Sequence, residues 1–178
     1  MRKLVAYQLL SLDGVAENPD EFIREFDEVM RDNLGRVIAS QDAVLLGRRT
    51  YDEWSGFWPT SKIEPFAGFI NAVQKFVVTS TLPEGDWAPA TVINSDLGSF
   101  VSELKDQTGG EIGVHGSISL TQALLAAGLV DQLRLVVAPA IQVRGRKLFD
   151  EGQVTHLSLT RSAASPAGYL LLDYDVQR

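Results

Sequence analysis

The sequence contains no cysteine among its 178 residues. This absence excludes a disulfide framework and every zinc site built from thiolates. The only histidines are His115 and His156, so a metal site would depend largely on carboxylates. A chain of this length buries roughly 70% of the surface that it exposes when unfolded. We therefore predict a core that needs neither disulfides nor metal.

Positive charge is also scarce. Sixteen Lys and Arg residues stand against 23 Asp and Glu residues, which gives a formal net charge of -7. Such a chain repels a polynucleotide backbone unless its basic residues are concentrated in one patch. The two local clusters, Arg48 with Arg49 and Arg144 with Arg146 and Lys147, suit a single small phosphorylated ligand. We expect no nucleic-acid partner.

Long apolar runs are missing as well. The apolar run near the amino terminus covers only residues 4–10 and is interrupted by Gln8. The sequence contains no run of eighteen consecutive apolar residues, which is about the length needed to cross a bilayer, and it does not show the pattern of a signal peptide. We therefore expect a cytoplasmic protein with no membrane partner.

Strands and helices alternate along the chain. Compact apolar or β-branched runs predict strands at 4–10, 43–46, 75–79, 91–93, 112–114 and 132–138. Apolar residues at helical spacing predict helices from residues 19–20 onward to 38, over 96–107 and over 117–127. Two further strand-like segments, 156–162 and 169–176, are joined by a Pro-Ala-Gly turn and predict a hairpin.

This alternation predicts one α/β domain over residues 1–178. Its central sheet would be mostly parallel, with helices on both faces in a three-layer arrangement and a carboxyl-terminal antiparallel hairpin. The stretch 54–69 contains two prolines and two glycines and reads as a long irregular segment. Such segments in compact domains are often functional.

Three strand ends carry the residues of a candidate ligand site. They are Gly47 to Thr50, the hydroxyl cluster Thr79 to Thr81, and Gly116 to Ile118. Ligands of open parallel sheets bind at the carboxyl ends of the strands, where helix amino termini offer free amide donors. Neither a G-x-G-x-x-G motif nor a P-loop is present. The pattern predicts a phosphate-bearing ligand at this edge without a Rossmann fingerprint.

Aromatic residues follow the first of these strand ends. Trp54, Phe57 and Trp58 could wall a cavity for a flat heterocycle, or they could pack against a partner subunit. His115 stands beside Gly116, where it could donate to a ligand or be a satisfied histidine next to a turn. The sequence leaves both pairs of alternatives open.

The order of motifs resembles the dihydrofolate-reductase-like superfamily. The matching motifs are SLDG at 11–14, LLGRRTY at 45–51, VVTS at 77–80, VHGS at 114–117, GLVD at 128–131, Pro139, and Leu148-Phe149. Within the superfamily, the chain is most similar to the branch of the carboxyl-terminal reductase domain of bifunctional riboflavin-biosynthesis deaminase/reductases and their small stand-alone relatives. The resemblance spans nearly the whole chain.

The resemblance implies an NADPH site. The pyrophosphate and 2′-phosphate side would be held by Gly47, Arg48, Arg49 and Thr50, and the adenosine ribose phosphate would be contacted by Thr79 and Ser80. The pyrophosphate and nicotinamide ribose would be lined by Gly116, Ser117 and Ile118. The nicotinamide would lie near Val15 and Ala16. Asp13 would face the pocket, and we take it as the catalytic candidate. Trp54, Phe57 and Trp58 are the substrate-binding candidates.

The sequence departs from the pattern of the resembled family in two places. Thr81 stands where an arginine is common, which weakens the case for strong 2′-phosphate selectivity. Val143 and Arg144 replace the small residues usual after the Pro139 strand, so the backbone there is expected to approach the cofactor less closely.

The functional expectation is a homodimeric, NADPH-dependent reductase of a small heterocyclic substrate, pterin-like or pyrimidine-like, or of a carbonyl substrate. One alternative is a 5-amino-6-(5-phosphoribosylamino)uracil-type reductase of riboflavin biosynthesis, which is disfavoured because the deaminase half with its zinc-binding cysteines is absent. The other is a nucleotide-binding or ligand-binding protein that kept the fold and lost turnover.

Overall fold

Eight strands form one sheet in the computed structural model, which describes residues 1–177. They are β1 (Leu4–Leu10), β2 (Gln41–Gly47), β3 (Gln74–Val78), β4 (Ala90–Ile93), β5 (Glu111–His115), β6 (Gln132–Val137), β7 (Leu157–Ala164) and β8 (Leu170–Val176). Their order across the sheet is β4-β3-β2-β5-β1-β6-β8-β7. Strands β1 to β6 are parallel, whereas β8 runs antiparallel to β6, and β7 antiparallel to β8. The predicted parallel sheet and closing hairpin are confirmed.

Helices cover both faces of this sheet. They are α1 (Glu28–Ala39), α2 (Arg48–Ser55), α3 (Phe66–Ala72), α4 (Leu97–Asp106) and α5 (Ile118–Ala126). Side chains alternate between the two faces of a strand, so Val44 and Leu46 pack in one core with α1 and α3. Ala43 and Leu45 pack in the other core with α4 and α5. The three-layer prediction is therefore confirmed.

Helix α1 begins later than the apolar spacing predicts. The predicted helix started at Pro19-Asp20, where the structure has only a 3-10 turn over Pro19–Glu21. Helix α1 begins at Glu28, after a non-helical stretch that still buries Phe22. The Asp27 carboxylate accepts a hydrogen bond from the Met30 amide at 2.9 Å and caps the helix. The Tyr169 hydroxyl accepts hydrogen bonds from the Arg24 and Glu25 amides, so these two donors are satisfied outside a helix.

The prediction of an irregular segment over 54–69 holds only for its middle part, because α-helix occupies both ends. Helix α2 continues to Ser55, a 3-10 turn covers Trp58–Thr60, and α3 begins at Phe66. Helix α3 has only seven residues, too few to show a clear helical period of apolar residues, and the prolines and glycines around it indicate a loop. Its Phe66 and Ile70 are buried in the core with α1, so packing rather than local pattern holds α3 in place.

A membrane-spanning helix and a metal-binding cluster of side chains are both absent from the described residues. No helix within residues 1–177 is long and apolar enough to span a bilayer. In the same part of the chain, no group of three His, Asp or Glu side chains is arranged to hold a metal ion.

Candidate functional site

A cavity of about 970 Å³ lies at the carboxyl ends of the parallel strands. This volume is near the upper end of the range for small-molecule sites. The predicted site residues that line the cavity are Ala16, Gly47, Arg48, Arg49, Thr50, Trp54, Phe57, Trp58, Gly116, Ser117 and Ile118. Asp13, Val15, Thr79 and Ser80 are not among the lining residues. The fold thus gathers two of the three predicted strand ends and the aromatic residues around one space.

One part of the cavity, which we call the amide half, consists of residues 47–50, residues 116–119 and Arg146. Ser117 precedes α5 but does not cap it. Instead its hydroxyl accepts a hydrogen bond from the Gly47 amide at 3.0 Å and donates to Thr50 Oγ1 at 3.0 Å. The amino termini of α2 and α5 are therefore tied side by side, and neither has a side-chain cap. Uncapped helix amino termini favour anions.

Guanidinium groups flank these helix ends. Arg48 contacts the Asp52 carboxylate at 3.2 Å and Thr81 Oγ1 at 3.1 Å. Arg49 is 72% exposed and pairs with Glu53 at 3.0 Å, a contact that raises the pKa of Arg49. Exposed ion pairs of this kind contribute at most about 1 kcal/mol. A phosphate group could therefore compete with these carboxylates for the arginines.

The third predicted strand end joins the site only indirectly. Thr79 donates from its hydroxyl to the Thr81 carbonyl at 2.8 Å, which closes a tight turn beyond β3. Thr81 then contacts Arg48, while Val78 and Leu97 line the cavity in front of the turn. Thr81, which stands where an arginine is common in the resembled family, is thus the contact between this turn and the amide half.

Asp13 holds a neighbouring loop. Its carboxylate accepts hydrogen bonds from Ser11 Oγ at 2.6 Å and from the amides of Gln142 and Val143, both at 2.9 Å. The Ser11 hydroxyl and the two amides hold the pKa of Asp13 well below its usual range. Val143 adopts a left-handed φ of 68°, which is strained for a β-branched residue. These contacts favour a structural role for Asp13; its predicted catalytic role stays a prediction.

Val15 lies between the first strand and the same loop. Its side chain is fully buried, and the residue forms an isolated antiparallel bridge with Lys147. Its neighbour Ala16 lines the cavity and donates its amide to the Arg146 carbonyl at 2.9 Å. The two predicted nicotinamide contacts thus differ, because only Ala16 borders the cavity.

The other part of the cavity, the aromatic half, is formed by rings from separate elements. Its members are Tyr7, Trp54, Phe57, Trp58, Phe66 and His115. Trp58 packs edge-on against Phe66, with ring centroids 4.8 Å apart, and against Phe57 at 5.0 Å. The aromatic residues after the first strand end therefore lie in the cavity wall.

His115 lies in this wall together with two buried polar atoms that have no hydrogen-bond partner within the described residues, the Tyr7 hydroxyl and Trp58 Nε1, and the sequence left the role of His115 open. It is 2% exposed, and its Nε2 lies 2.8 Å from Gln41 Oε1. The Gln41 side chain reaches it across Gly113, where a Cβ would lie 2.2 Å from that oxygen. Burial lowers the pKa of His115 to about 3. The imidazole is therefore neutral at physiological pH.

Gly116 joins the two halves. It has a left-handed φ of 63°, and a Cβ at this position would lie 2.7 Å from Trp54 Cζ2. The backbone at the start of α5 can approach the indole this closely only because residue 116 is a glycine. The same residue thus shapes the amide half and the aromatic half.

Sequence reasoning missed several residues of the cavity. They include Tyr7, Asp20, Arg24, Glu64, Phe66 and Arg146. The place of Tyr7 in the cavity wall can be predicted from β1 only when the helix facing that strand is known. Phe66 lies on α3, which the sequence did not predict. Arg146 had a local signal, since it belongs to one of the two basic clusters; it donates to Ser119 Oγ at 2.9 Å.

Comparisons with known proteins agree with this architecture. The model of the family described as RibD C-terminal domain matches residues 2–171. Two proteins of Bacillus subtilis, both named as uncharacterized, are similar in sequence. YyaP is 26% identical, covering 97% of this chain and 94% of its own length, and YwjB is 25% identical, covering 84% of each.

Solved structures show the same fold. A protein described as a riboflavin biosynthesis protein from Shewanella sp. PV-4 has a TM-score of 0.81 at 16% identity, with 99% of each chain covered. A pyrimidine reductase-like protein from Corynebacterium diphtheriae has a TM-score of 0.69 at 18% identity, covering 99% of this chain and 92% of the other. A Thermotoga maritima diaminohydroxyphosphoribosylaminopyrimidine deaminase/5-amino-6-(5-phosphoribosylamino)uracil reductase has a TM-score of 0.71 at 14% identity, with 99% of this chain but 57% of the other covered.

Proposed function

This chain belongs to the RibD C-terminal domain family, and we propose that it is an NADPH-dependent reductase of a small heterocyclic or carbonyl substrate. The observation that carries the proposal is the pair of uncapped helix amino termini in the amide half. Ser117 holds the two termini together by its contacts to Gly47 and Thr50. Paired helix ends flanked by arginines suit a pyrophosphate.

The residues of the amide half fit NADPH by their chemistry. The first turns of α2 and α5 would hold the pyrophosphate, and the Arg48 guanidinium, with the turn at Thr79 to Thr81 beside it, would hold the 2′-phosphate. Ala16 and Gly116 would face the nicotinamide ring, since both border the cavity. The bound cofactor supplies a hydride for a C=N or C=O bond, and the protein supplies orientation and an apolar cleft.

The residues around the substrate would act by packing and by excluding water. Trp54, Trp58 and Phe66 form a rigid wall of edge-to-face contacts. Asp13 would act at a distance, because it fixes residues 142 and 143 of the loop that leads to Arg146. We propose that a water molecule, rather than Asp13, delivers the proton that completes the reduction.

We also propose that the enzyme is a homodimer. Strand β7 lies at the edge of the sheet, and Leu159 and Leu170 of the terminal hairpin are 54% and 44% exposed. Exposed apolar residues on an edge strand favour pairing with another chain. Light scattering should give twice the mass of the chain, and Leu159→Glu should shift it toward the monomer.

The function is tested by titrating NADPH and NADH while following nicotinamide fluorescence. We expect saturable binding with a preference for NADPH, and oxidation of the cofactor in the presence of some member of a panel of pterins, pyrimidines and quinones. Absence of binding by either cofactor would refute the reductase. Binding without oxidation across the whole panel would indicate a protein that retains the fold and the ligand but lacks turnover.

A further inference from the structure

The second basic cluster of the sequence, Arg144 with Arg146 and Lys147, is assigned no ligand in the function proposed above. All three residues are exposed, but only Arg146 lines the cavity. Its Nη2 donates to Ser119 Oγ at 2.9 Å, and Ser119 lies in the first turn of α5. The fold therefore brings one cation of this cluster to an uncapped helix end of the amide half.

The backbone that carries Arg146 belongs to a loop over residues 141–147, which we call the basic loop. The Asp13 carboxylate accepts hydrogen bonds from two amides of this loop, both at 2.9 Å. The Arg146 amide donates to the Glu17 carboxylate at 3.1 Å, and the Arg146 carbonyl accepts from the Ala16 amide at 2.9 Å. These contacts fix the point from which the Arg146 side chain extends.

Glu17 also connects the basic loop with helix α2. One of its carboxylate oxygens accepts from the Arg146 amide, and the other lies 3.9 Å from Nη1 of Arg49. Arg49 is in the first turn of α2. The basic loop is thus tied to both helix ends of the amide half, through Glu17 to α2 and through Ser119 to α5.

Arg146 differs from the other guanidinium groups of the amide half because it has no carboxylate partner. Arg48 pairs with Asp52, and Arg49 pairs with Glu53. Within residues 1–177, the Arg146 guanidinium forms no ion pair. A phosphate group can therefore bind Arg146 without displacing a carboxylate, next to a helix end that already favours anions.

We propose that Arg146 binds the pyrophosphate of the cofactor at the amino terminus of α5, and that Asp13 and Glu17 are positioning residues that hold it there through the basic loop. The proposal rests on the reductase function above and adds this loop to its cofactor site. A guanidinium fork matches two phosphate oxygens, and the α5 amides supply further donors. Because NADH and NADPH share the pyrophosphate, Arg146 serves both cofactors equally, unlike Arg48 at the 2′-phosphate.

Titration of the whole chain with NADPH, NADH and ADP-ribose tests the assignment. All three ligands contain the pyrophosphate, and only NADPH contains the 2′-phosphate. We expect Arg146→Ala to weaken binding of all three by the same factor, about tenfold or more. Arg144→Ala is the matched control, since this arginine is exposed on the same loop but lies outside the cavity; it should change none of the three affinities. Unchanged binding in Arg146→Ala, or a loss confined to NADPH, would overturn the proposal.

A second set of variants tests the positioning residues by non-additivity. Asp13→Asn and Ser119→Ala should each weaken NADH binding several-fold in the parent protein and have no further effect in the Arg146→Ala background. Equal effects in both backgrounds would show that these residues do not act through Arg146. Urea unfolding of each variant separates a loss of stability from a loss of affinity.

Glu17 can be tested by rescue. Glu17→Ala removes the acceptor of the Arg146 amide and should weaken NADH binding several-fold. Glu17→Gln keeps an acceptor oxygen and removes a negative charge beside Arg49, so it should bind NADH at least as tightly as the parent protein. A glutamine variant as weak as the alanine variant would contradict the positioning role of Glu17.

Two further measurements distinguish other sources of phosphate binding. Arg24 also lines the cavity and forms no ion pair in the described part of the chain. A loss of NADH binding in Arg24→Ala but not in Arg146→Ala would place the pyrophosphate elsewhere. Ribose 5-phosphate represents a phosphorylated substrate, and weakening of this probe alone in Arg146→Ala would assign the guanidinium to a substrate phosphate and overturn the proposal.

The outcomes also separate this proposal from the one on which it rests. If NADPH binds and Arg146→Ala has no effect, the role of the basic loop is wrong and the reductase remains. If ADP-ribose binds in an Arg146-dependent way and neither nicotinamide cofactor binds, the pyrophosphate site stands and the reductase fails.

Discussion

The two halves of the cavity are formed by different kinds of chemical group. The amide half uses backbone groups at the starts of α2 and α5, fixed by Ser117 and flanked by arginines. The aromatic half uses side chains from β1, α2, the 3-10 turn at Trp58–Thr60, α3 and β5. The uncapped helix ends of the first favour anions, whereas the second offers mostly apolar ring surface. In the proposed function, the amide half would orient the cofactor and the aromatic half would pack against the substrate.

The largest expected effect comes from the residue that the halves share. Gly116→Ala places a methyl group 2.7 Å from Trp54 Cζ2 and forces alanine to a φ of 63°. We expect the free energy of unfolding to fall by about 2–4 kcal/mol, and NADPH affinity to fall with it. Urea unfolding and cofactor titration measure the two effects.

A matched glycine isolates the contact from the backbone. Gly128 has a φ of 66°, and a Cβ there would have nothing within 4 Å. Gly128→Ala should therefore lower stability by only about 1–2 kcal/mol and keep NADPH binding. Equal effects in both variants would show that the approach of Gly116 to Trp54 is not what joins the halves.

The second prediction separates the halves by charge. Replacing both Arg48 and Arg49 by alanine removes the two guanidinium groups of the α2 amino terminus. We expect NADPH to bind more weakly by about 1.5–3 kcal/mol for each phosphate left without its guanidinium, with a smaller weakening for NADH. Arg31→Ala, an exposed arginine outside the cavity, should change neither affinity. Equal weakening for the two cofactors would show that Arg48 and Arg49 do not bind the 2′-phosphate.

The third prediction concerns pH and the aromatic half. The imidazole of unfolded His115 takes up a proton near its ordinary pKa of 6.5, whereas burial holds the folded pKa near 3. Stability is thus fully present above pH 6.5 and declines by about 1.4 kcal/mol per pH unit as the pH falls toward 3. Denaturant midpoints at several pH values measure the slope.

The variant His115→Phe should lack this contribution to the slope. Its unpaired Gln41 lowers stability at every pH and leaves the slope unaffected, so only the pH dependence is diagnostic. Parallel profiles for the two proteins would mean that His115 is not held neutral by burial.

The smallest expected effect is at the edge of the aromatic wall. Phe57 is 51% exposed and contacts Trp58 edge-on at 5.0 Å. Phe57→Ala should weaken binding of an aromatic ligand by about 0.5–1.5 kcal/mol and leave NADPH affinity unchanged. Phe149→Ala, at 50% exposure and outside the cavity, is the matched control. An equal weakening of NADPH binding in Phe57→Ala would show that the halves are not separate.

The amide half could be predicted from the sequence because its signals are local. Gly47, Arg48 and Arg49 follow one strand directly, and Gly116 and Ser117 follow another, so the order of elements brings them together. The fold itself was predictable for the same reason, since each strand carries its own apolar run. What the sequence does not contain is the direction of the Ser117 hydroxyl, which binds Gly47 instead of capping α5.

The aromatic half was harder to predict because its members are distant in the chain. Trp54 and Trp58 were recognisable, but Phe66 lies on a short helix hidden among prolines and glycines, and Tyr7 lies within an ordinary apolar strand. The role of Asp13 shows the same limit: its carboxylate contacts Gln142, 129 positions away. Pairings of this kind depend on tertiary packing, and no local pattern reports them.

The most direct test of the account is a crystal structure of the protein grown with NADPH. We predict the pyrophosphate at the paired amino termini of α2 and α5, the 2′-phosphate beside Arg48, and the nicotinamide next to Gly116, facing the aromatic half. Cofactor density in the aromatic half, or a complex in which the two helix ends contact no phosphate, would contradict it.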